Sequence, residues 1–377
     1  MNKVSFELEV VTPLFLGGAD GKTAELRPPS IRGAMRFWFR AMMGGIVGGN
    51  VDALKKLESN VFGSTDKASC FNLSLRGLNI SKGVFSKDSY TGRIRKPGLL
   101  YLGFSLDARR GGERIQREYI KGGSRFILEI KPQGDADSTK FKAAFGALWL
   151  LINFGSLGSR SRRGFGCLSI LNDLSIEGLP SFKLNANTPS DLVIYLKNGI
   201  AQIKALYQTF YNKSGMGVKS SPSFPMLSST WSKIFVLNKT SNNWEEILDQ
   251  IGSKLQEFRN HKEPDYTIVK DILQGKSEIK NTVKRASFGL PLPFFFRSLG
   301  NRTTLVKGTE SERRASPLYI KVIRLANGSF TILITFFKNE FLSSSERLFI
   351  QGVKLPLPDY SLIDEFVSLL PLQEVKL

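Results

Sequence analysis

Apolar and polar residues alternate from Val4 to Val11, the period of a half-buried strand. From Ser30 to Met43 the apolar residues recur at helical spacing instead, with Ser30 as the expected N-cap and Gly44-Gly45 as the expected stop. Phe71 to Leu78 and Phe126 to Lys131 read as strands. Thr139 to Asn153 is apolar nearly all round and predicts a buried helix. Gly155 to Gly166 is a glycine-rich loop, and Cys167 to Leu171 a closing strand. The order βαββαβ predicts a ferredoxin-like unit, two helices covering one face of an antiparallel sheet.

The pattern lapses between Ser81 and Gly123, where Arg, Lys and Gly dominate. This basic insertion is expected to bury little and to form a hairpin or loop. Gly, Pro, Asn and Ser cluster from Glu177 to Pro189. That cluster divides the chain into an N-terminal domain, residues 1–180 with the insertion at 81–123, and a C-terminal domain, residues 181–377. Helices are predicted from Ser190-Asp191 to Tyr211, from Asn243 to Asn260 and from Pro264 to Gln274. Strands are predicted at Ser287 to Phe296, Pro317 to Leu325 and Ser329 to Phe337. The class is α+β. The pattern alone leaves open whether the second half repeats the first.

Charge changes this picture most. Among 377 residues, 53 Lys and Arg face 33 Asp and Glu, a net charge of +20. Such an excess points to a polyanionic partner, a nucleic acid or an acidic membrane. The densest apolar run, Phe145 to Phe154, is too short to span a bilayer. The N-terminus reads as a strand and not as a signal peptide, so a cytoplasmic protein without membrane contact is expected. Cys70 and Cys167 sit in strand-like runs and make neither a disulfide framework nor a zinc spacing.

Three groups of residues carry candidate chemistry. Arg32, Arg36 and Arg40 recur every four residues and form one stripe on the first helix, extended by Arg27. No acidic residue lies on that helix to offset the repulsion, so an anionic partner is expected there. The glycine loop holds Ser159, Arg160, Ser161, Arg162, Arg163 and Phe165. Glycine lets backbone approach a ligand, and Ser and Arg donate to phosphate oxygens. Phe165 has two readings, stacking on a base or packing inward. Late in the chain, Arg297, Arg302, Lys307, Arg313 and Arg314 form a third basic cluster, suited to nucleic acid or to subunit docking.

Two features invite an enzymatic reading. Gly17 to Thr23 is one residue short of a phosphate-binding P-loop, and Pro28-Pro29 intervene before any helix, so nucleotide hydrolysis is rejected. His261 is the sole histidine, and Asp20 has no carboxylate neighbour in sequence. No catalytic residue, metal site or cofactor is therefore assigned.

Thr12 to Gly18, Leu26 to Trp38, Gly158 to Gly166 and Arg313 to Leu318 together carry a resemblance to the RAMP superfamily of CRISPR systems, and within it to the first RAMP subunit of the type III-B Cmr effector complex. The resemblance implies two ferredoxin-like (RRM-like) βαββαβ domains, the second more divergent. It also implies a non-catalytic RNA-binding subunit of an antiviral ribonucleoprotein. Such a subunit holds the 3′ part of the CRISPR RNA, paired with complementary target RNA, and docks on other RAMP subunits. Arg27, Arg32, Arg36 and the loop arginines carry over as RNA or subunit contacts. The competing expectations are a metal-independent CRISPR endoribonuclease and a capping subunit that touches only protein.

Overall fold

The computed structural model describes residues 3–91, 95–110, 113–115, 117–133, 138–212, 221–260 and 263–377. The first half runs β1 (Val4–Val10), α1 (Pro28–Ile46), α2 (Val51–Phe62), β2 (Phe71–Asn79), β3 (Lys82–Val84), α3 (Pro97–Leu102), β4 (Ala108–Arg110), β5 (Glu113–Ile115), β6 (Glu118–Ile120), β7 (Arg125–Pro132), α4 (Ser138–Phe154) and β8 (Leu168–Ile170). Its main sheet is wholly antiparallel in the order β2-β7-β1-β8. Phe6, Leu8 and Val10 point from β1 into the core, where α1 and α4 cover the sheet.

α1 is longer than the sequence suggests at both ends. It begins at Pro28, with Arg27 extended as its N-cap. Proline at the first helical positions is preset in φ and lacks only an N–H that has no intrahelical partner there, so Ser30 is not the cap. The helix also runs through Gly44-Gly45 to Ile46. A Cβ at Gly44 would stand 2.5 Å from the Phe224 ring, and one at Gly45 2.7 Å from the Leu227 carbonyl. These glycines serve close approach, not termination. α2, capped by the Asn50 side chain on Ala53 N–H, was not expected at all.

The basic insertion corrects a second expectation, since it buries Phe85, Leu99, Leu102, Leu106 and Ile120. Its short helix α3 lies tightly on a helix of the second half, Trp244–Asn260. A Cβ at Gly98 would be 2.0 Å from the Asp249 carbonyl, and one at Gly252 2.2 Å from the Gly98 carbonyl. Only paired glycines permit backbones so close.

The second half runs α5 (Pro189–Tyr211), β9 (Ser232–Leu237), α6 (Trp244–Asn260), α7 (Asp265–Leu273), β10 (Leu292–Phe296), β11 (Arg302–Gly308), β12 (Leu318–Arg324), β13 (Phe330–Phe337), β14 (Leu348–Ile350), β15 (Val353–Leu355), α8 (Ser361–Ser368) and β16 (Leu372–Glu374). The sheet β12-β13-β9-β16 is also wholly antiparallel. Counting only its own strands, its spatial order is second-third-first-fourth, the order of the first sheet. A further sheet, β10-β11-β14-β15, is inserted between these elements and packs with α7 on a core of its own. The stretch Ser287 to Phe296, expected as one strand, begins as a 3-10 turn at Lys284–Phe288 and becomes strand only at Leu292. α5 packs on α1 and α4, with Trp149 lying where a Cβ of Gly199 would be, 2.1 Å from its ring. Tyr207 Oη donates to the Ala143 carbonyl at 3.0 Å. One apolar cluster joins first-half residues to Ile234, Tyr319, Leu333 and Phe337, so the two halves share core.

Candidate nucleic-acid interface

The glycine loop lies in the seam between the halves. Gly158, Gly164 and Gly166 have φ of +78°, +84° and +70°, and Arg160 adopts +61°. A Cβ at Gly158 would stand 2.3 Å from the Phe15 carbonyl, and one at Gly166 2.0 Å from the Leu157 carbonyl. Glycine is therefore required by both conformation and space. The loop is pinned to the first half by Ser159 N–H donating to the Phe15 carbonyl (2.8 Å) and Gly166 N–H donating to the Pro13 carbonyl (2.9 Å). From the second half, Ile320 N–H donates to the Arg162 carbonyl (3.1 Å). At the loop's start the fully buried Lys321 donates to the Gly155 carbonyl at 2.6 Å, and burial pushes its ammonium pKa down.

This frame holds a set of arginines. Arg160 donates to the Phe104 carbonyl and to Ser105 Oγ at 2.8 Å. Arg162 donates to the Ser316 carbonyl at 2.6 Å and lies 4.5 Å over the Tyr319 ring. Arg117 donates to Ser159 Oγ at 3.4 Å. Arg259, at the end of α6, donates to Tyr101 Oη and lies 5.2 Å over Phe288. Every one of these acceptors is neutral, and among the described residues none of the five arginines Arg117, Arg160, Arg162, Arg163 and Arg259 pairs with a carboxylate. Two nitrogens, Arg163 Nη1 and Arg259 Nε, are buried with no hydrogen-bond partner. Burial, and next the Arg259 charge, push the Arg163 guanidinium down to about 10. Burial also lowers Arg160 and Arg162. Concentrated, partly dehydrated positive charge without a counter-charge is unfavourable unless an anion completes it. Phosphate oxygens match the guanidinium donors in charge and geometry.

The α1 stripe has a different environment. Its expected anion lies within the chain: Glu58 of α2 accepts from Arg36 Nε at 2.7 Å and from Arg40 Nη1 at 2.8 Å. Arg36 also donates to the Gly63 carbonyl, and Arg32 donates to the Phe71 carbonyl while lying 5.3 Å over its ring. The stripe thus staples α1 to α2 and β2. Arg27 is half-buried just before α1; its carbonyl accepts from Ser30 and Ile31 N–H, while its guanidinium makes no hydrogen bond or ion pair among the described residues.

Other expected residues scatter. Phe165 is fully buried and its ring meets Phe15 edge-on at 5.9 Å, so of its two readings it packs inward. Ser161 is half-buried. Arg313 is exposed, whereas Arg314 donates to the Phe341 and Glu340 carbonyls at 2.6 and 3.1 Å. Arg302 reaches the Leu273 carbonyl. Arg117, Arg259, Tyr101 and Tyr319 were not anticipated. Arg259, in the run Arg259-Asn260-His261-Lys262, and Arg117, within the basic insertion, had a local signal.

Asp20 accepts from the Lys22 and Thr23 N–H groups and from Thr23 Oγ1, so its carboxylate closes an exposed turn, and these bonds, that of the Thr23 side chain foremost, lower its pKa to about 2. His261 lies outside the described residues. Among the described residues no three His, Cys, Asp or Glu side chains gather in a metal-binding group. Cys70 and Cys167 are both buried and form no disulfide, and among the described residues no helix is long and apolar enough to cross a membrane.

The RAMP superfamily profile matches residues 7–169. The CRISPR system Cmr subunit Cmr1-2 of Pyrococcus furiosus is 34% identical over 182 residues, 45% of this chain and 96% of that protein. Subunit Cmr1-1 of the same organism is 29% identical over 345 residues, 89% of this chain and 88% of that protein. The crystal structure of apo Cmr1 from Pyrococcus furiosus superposes with a TM-score of 0.66 at 24% identity, covering 100% of this chain and 99% of that one. A chain of the type III-B Cmr-beta complex bound to cognate target RNA superposes with a TM-score of 0.54 at 16% identity, covering 98% of each chain.

Proposed function

The chain belongs to the RAMP superfamily, alongside the Cmr1 subunits of the type III-B CRISPR Cmr system, and on that premise we propose that it is a non-catalytic RNA-binding subunit of such an effector complex. The observation that carries this reading is the arginine seam: five guanidinium groups at the junction of the halves, two with buried unpartnered nitrogens, and, among the described residues, no carboxylate among their partners. Arg160, Arg162 and Arg163 of the glycine loop, with Arg117 and Arg259, hold the sugar-phosphate backbone of CRISPR RNA paired with target RNA. Arg27, Ser159, Ser161 and Arg313 lie at the margins of the contact. Arg32, Arg36, Arg40 and Arg314 act indirectly, by fixing the elements that carry it. Contacts of this kind position RNA without reading its sequence, so sequence preference is weak.

The repeated strand order, second-third-first-fourth in both main sheets, supports two ferredoxin-like units, residues 1–180 and 181–377, the second enlarged by the sheet β10-β11-β14-β15. Copurification from the native host, with mass spectrometry and sequencing of bound RNA, tests the assignment. Recovery of other RAMP subunits with CRISPR RNA supports it. Recovery of subunits that stay bound after ribonuclease, with no RNA crosslinked to this chain, means a protein-only cap. Cleavage of RNA by the chain alone means an endoribonuclease.

A further inference from the structure

The inserted sheet β10-β11-β14-β15 turns one face to its own core and the other to solvent. Leu292, Phe294 and Phe296 of β10, Val306 of β11, Leu348 and Ile350 of β14 and Leu355 of β15 point inward. The alternating partners point outward: Pro293 and Phe295, then Thr303, Leu305 and Lys307, then Phe349, then Lys354. Phe295 is 51% exposed and Leu305 52%, unusual for large apolar side chains in the middle of paired strands. Register sets Phe295 opposite Thr303, Pro293 opposite Leu305, and Phe349 between Lys307 and Lys354. Lys307 Nζ stands 6.0 Å over the Phe349 ring. None of these outward side chains is acidic. Lys307 Nζ also lies 3.7 Å from the carboxylate of Glu312, which is itself 81% exposed.

We propose that this face is a second RNA-binding site, a stacking platform on which Phe295 and Phe349 carry bases of single-stranded RNA while Lys307 and Lys354 hold the adjoining phosphates. The proposal rests on the reading that the chain binds RNA, but it uses neither the glycine loop nor the arginine seam. The arrangement of the face selects the ligand. Protein-docking patches have cores from which lysine is depleted, and here Lys307 and Lys354 flank the Phe349 ring on either side. Aromatics interleaved with cations are what single-stranded RNA uses, since every base has a π-face and every linkage a charge. The module has its own core, so it can present the platform without disturbing the two main sheets.

The test uses the full chain and a fluorescein-labelled 20-nucleotide oligouridine, read by anisotropy across a salt series, with ultraviolet crosslinking and peptide mapping. Phe295→Ala with Phe349→Ala should weaken binding about thirtyfold or more while leaving the salt slope unchanged, because stacking releases no counterions. Lys307→Gln with Lys354→Gln should instead reduce the slope by about 0.7 per lysine. Crosslinks should map to 292–307 or 348–354. All four side chains face solvent, and an unchanged melting temperature verifies folding. Normal RNA affinity in both variants, with no crosslink in this sheet, overturns the platform while the arginine seam stands. Normal RNA affinity with loss of a copurifying subunit assigns the face to protein docking and equally overturns it. A parent chain that binds no RNA sinks the proposed function itself.

Discussion

Replacing Glu58 with Gln separates a structural arginine stripe from an RNA-facing one. Glu58 Oε1 accepts from Arg36 Nε at 2.7 Å and from Arg40 Nη1 at 2.8 Å, and its side chain is 11% exposed. In a dry site each charge-assisted bond contributes about 1.5–3 kcal/mol. The arginine side chains are 35% and 40% exposed, so water recovers roughly half of this when the carboxylate is neutralised. The expected loss is about 2 kcal/mol, a fall of about 0.5 M in the urea midpoint for a chain of this size. Arg40→Gln alone should lose about 1 kcal/mol, because Arg36 retains both Glu58 and the Gly63 carbonyl. The double variant should lose less than the sum of the two. RNA affinity, measured by anisotropy under native conditions, should stay within about twofold of the parent, since the stripe serves α1–α2 packing. The reasoning fails if Glu58→Gln leaves the urea midpoint unchanged and tightens RNA binding, for then Glu58 would be masking an RNA-binding surface and not stapling two helices.

Three further outcomes follow from the packing and the buried charges. Gly98→Ala places a Cβ 2.0 Å from the Asp249 carbonyl, so it should cost about 3 kcal/mol or more and speed hydrogen exchange in 97–106, where unchanged exchange would show that α3 is not held on α6. Gly199→Ala drives into the Trp149 ring and should lower the thermal midpoint by several degrees in a calorimetric scan. Lys321, whose folded pKa burial pushes below the unfolded value of about 10.4, keeps fewer protons folded than unfolded in that window; parent stability therefore gains as pH rises toward about 10.4. Lys321→Met lacks that gain, so its urea midpoint should fall behind the parent's progressively from neutral to alkaline pH, and a constant gap between the two would refute the assignment.

Much of the architecture is legible in the chain. α4 is apolar all round and proves buried, and β12 and β13 lie where their apolar runs predict. The elements that were misread depend on partners distant in sequence. Pro28 and Pro29 look like a break yet open α1, and Gly44-Gly45 look like a stop yet admit Phe224 and Leu227. The arginines at positions 32, 36 and 40 invite an external anion only while α2 and its Glu58 go unrecognised. In Val51–Phe62 the helical signal is short, and a glutamate there gives no local hint of burial. The glycine loop is visible as a motif, but Tyr319, Arg259 and Tyr101 reach it from residues far along the chain. That Phe165 packs on Phe15 is likewise a tertiary fact.

The central claim, that the loop arginines hold RNA phosphates, is tested most directly by the salt dependence of RNA binding. Arg160, Arg162 and Arg163 are changed together to Gln, folding is verified by circular dichroism, and the logarithm of affinity is plotted against the logarithm of salt for parent and variant. The account predicts that, on duplex RNA, the slope shallows by about 0.9 for each phosphate no longer neutralised, about 2.7 in total, with affinity lowered at every salt concentration. A folded variant with the parent's slope would contradict it and assign these arginines to contacts with protein.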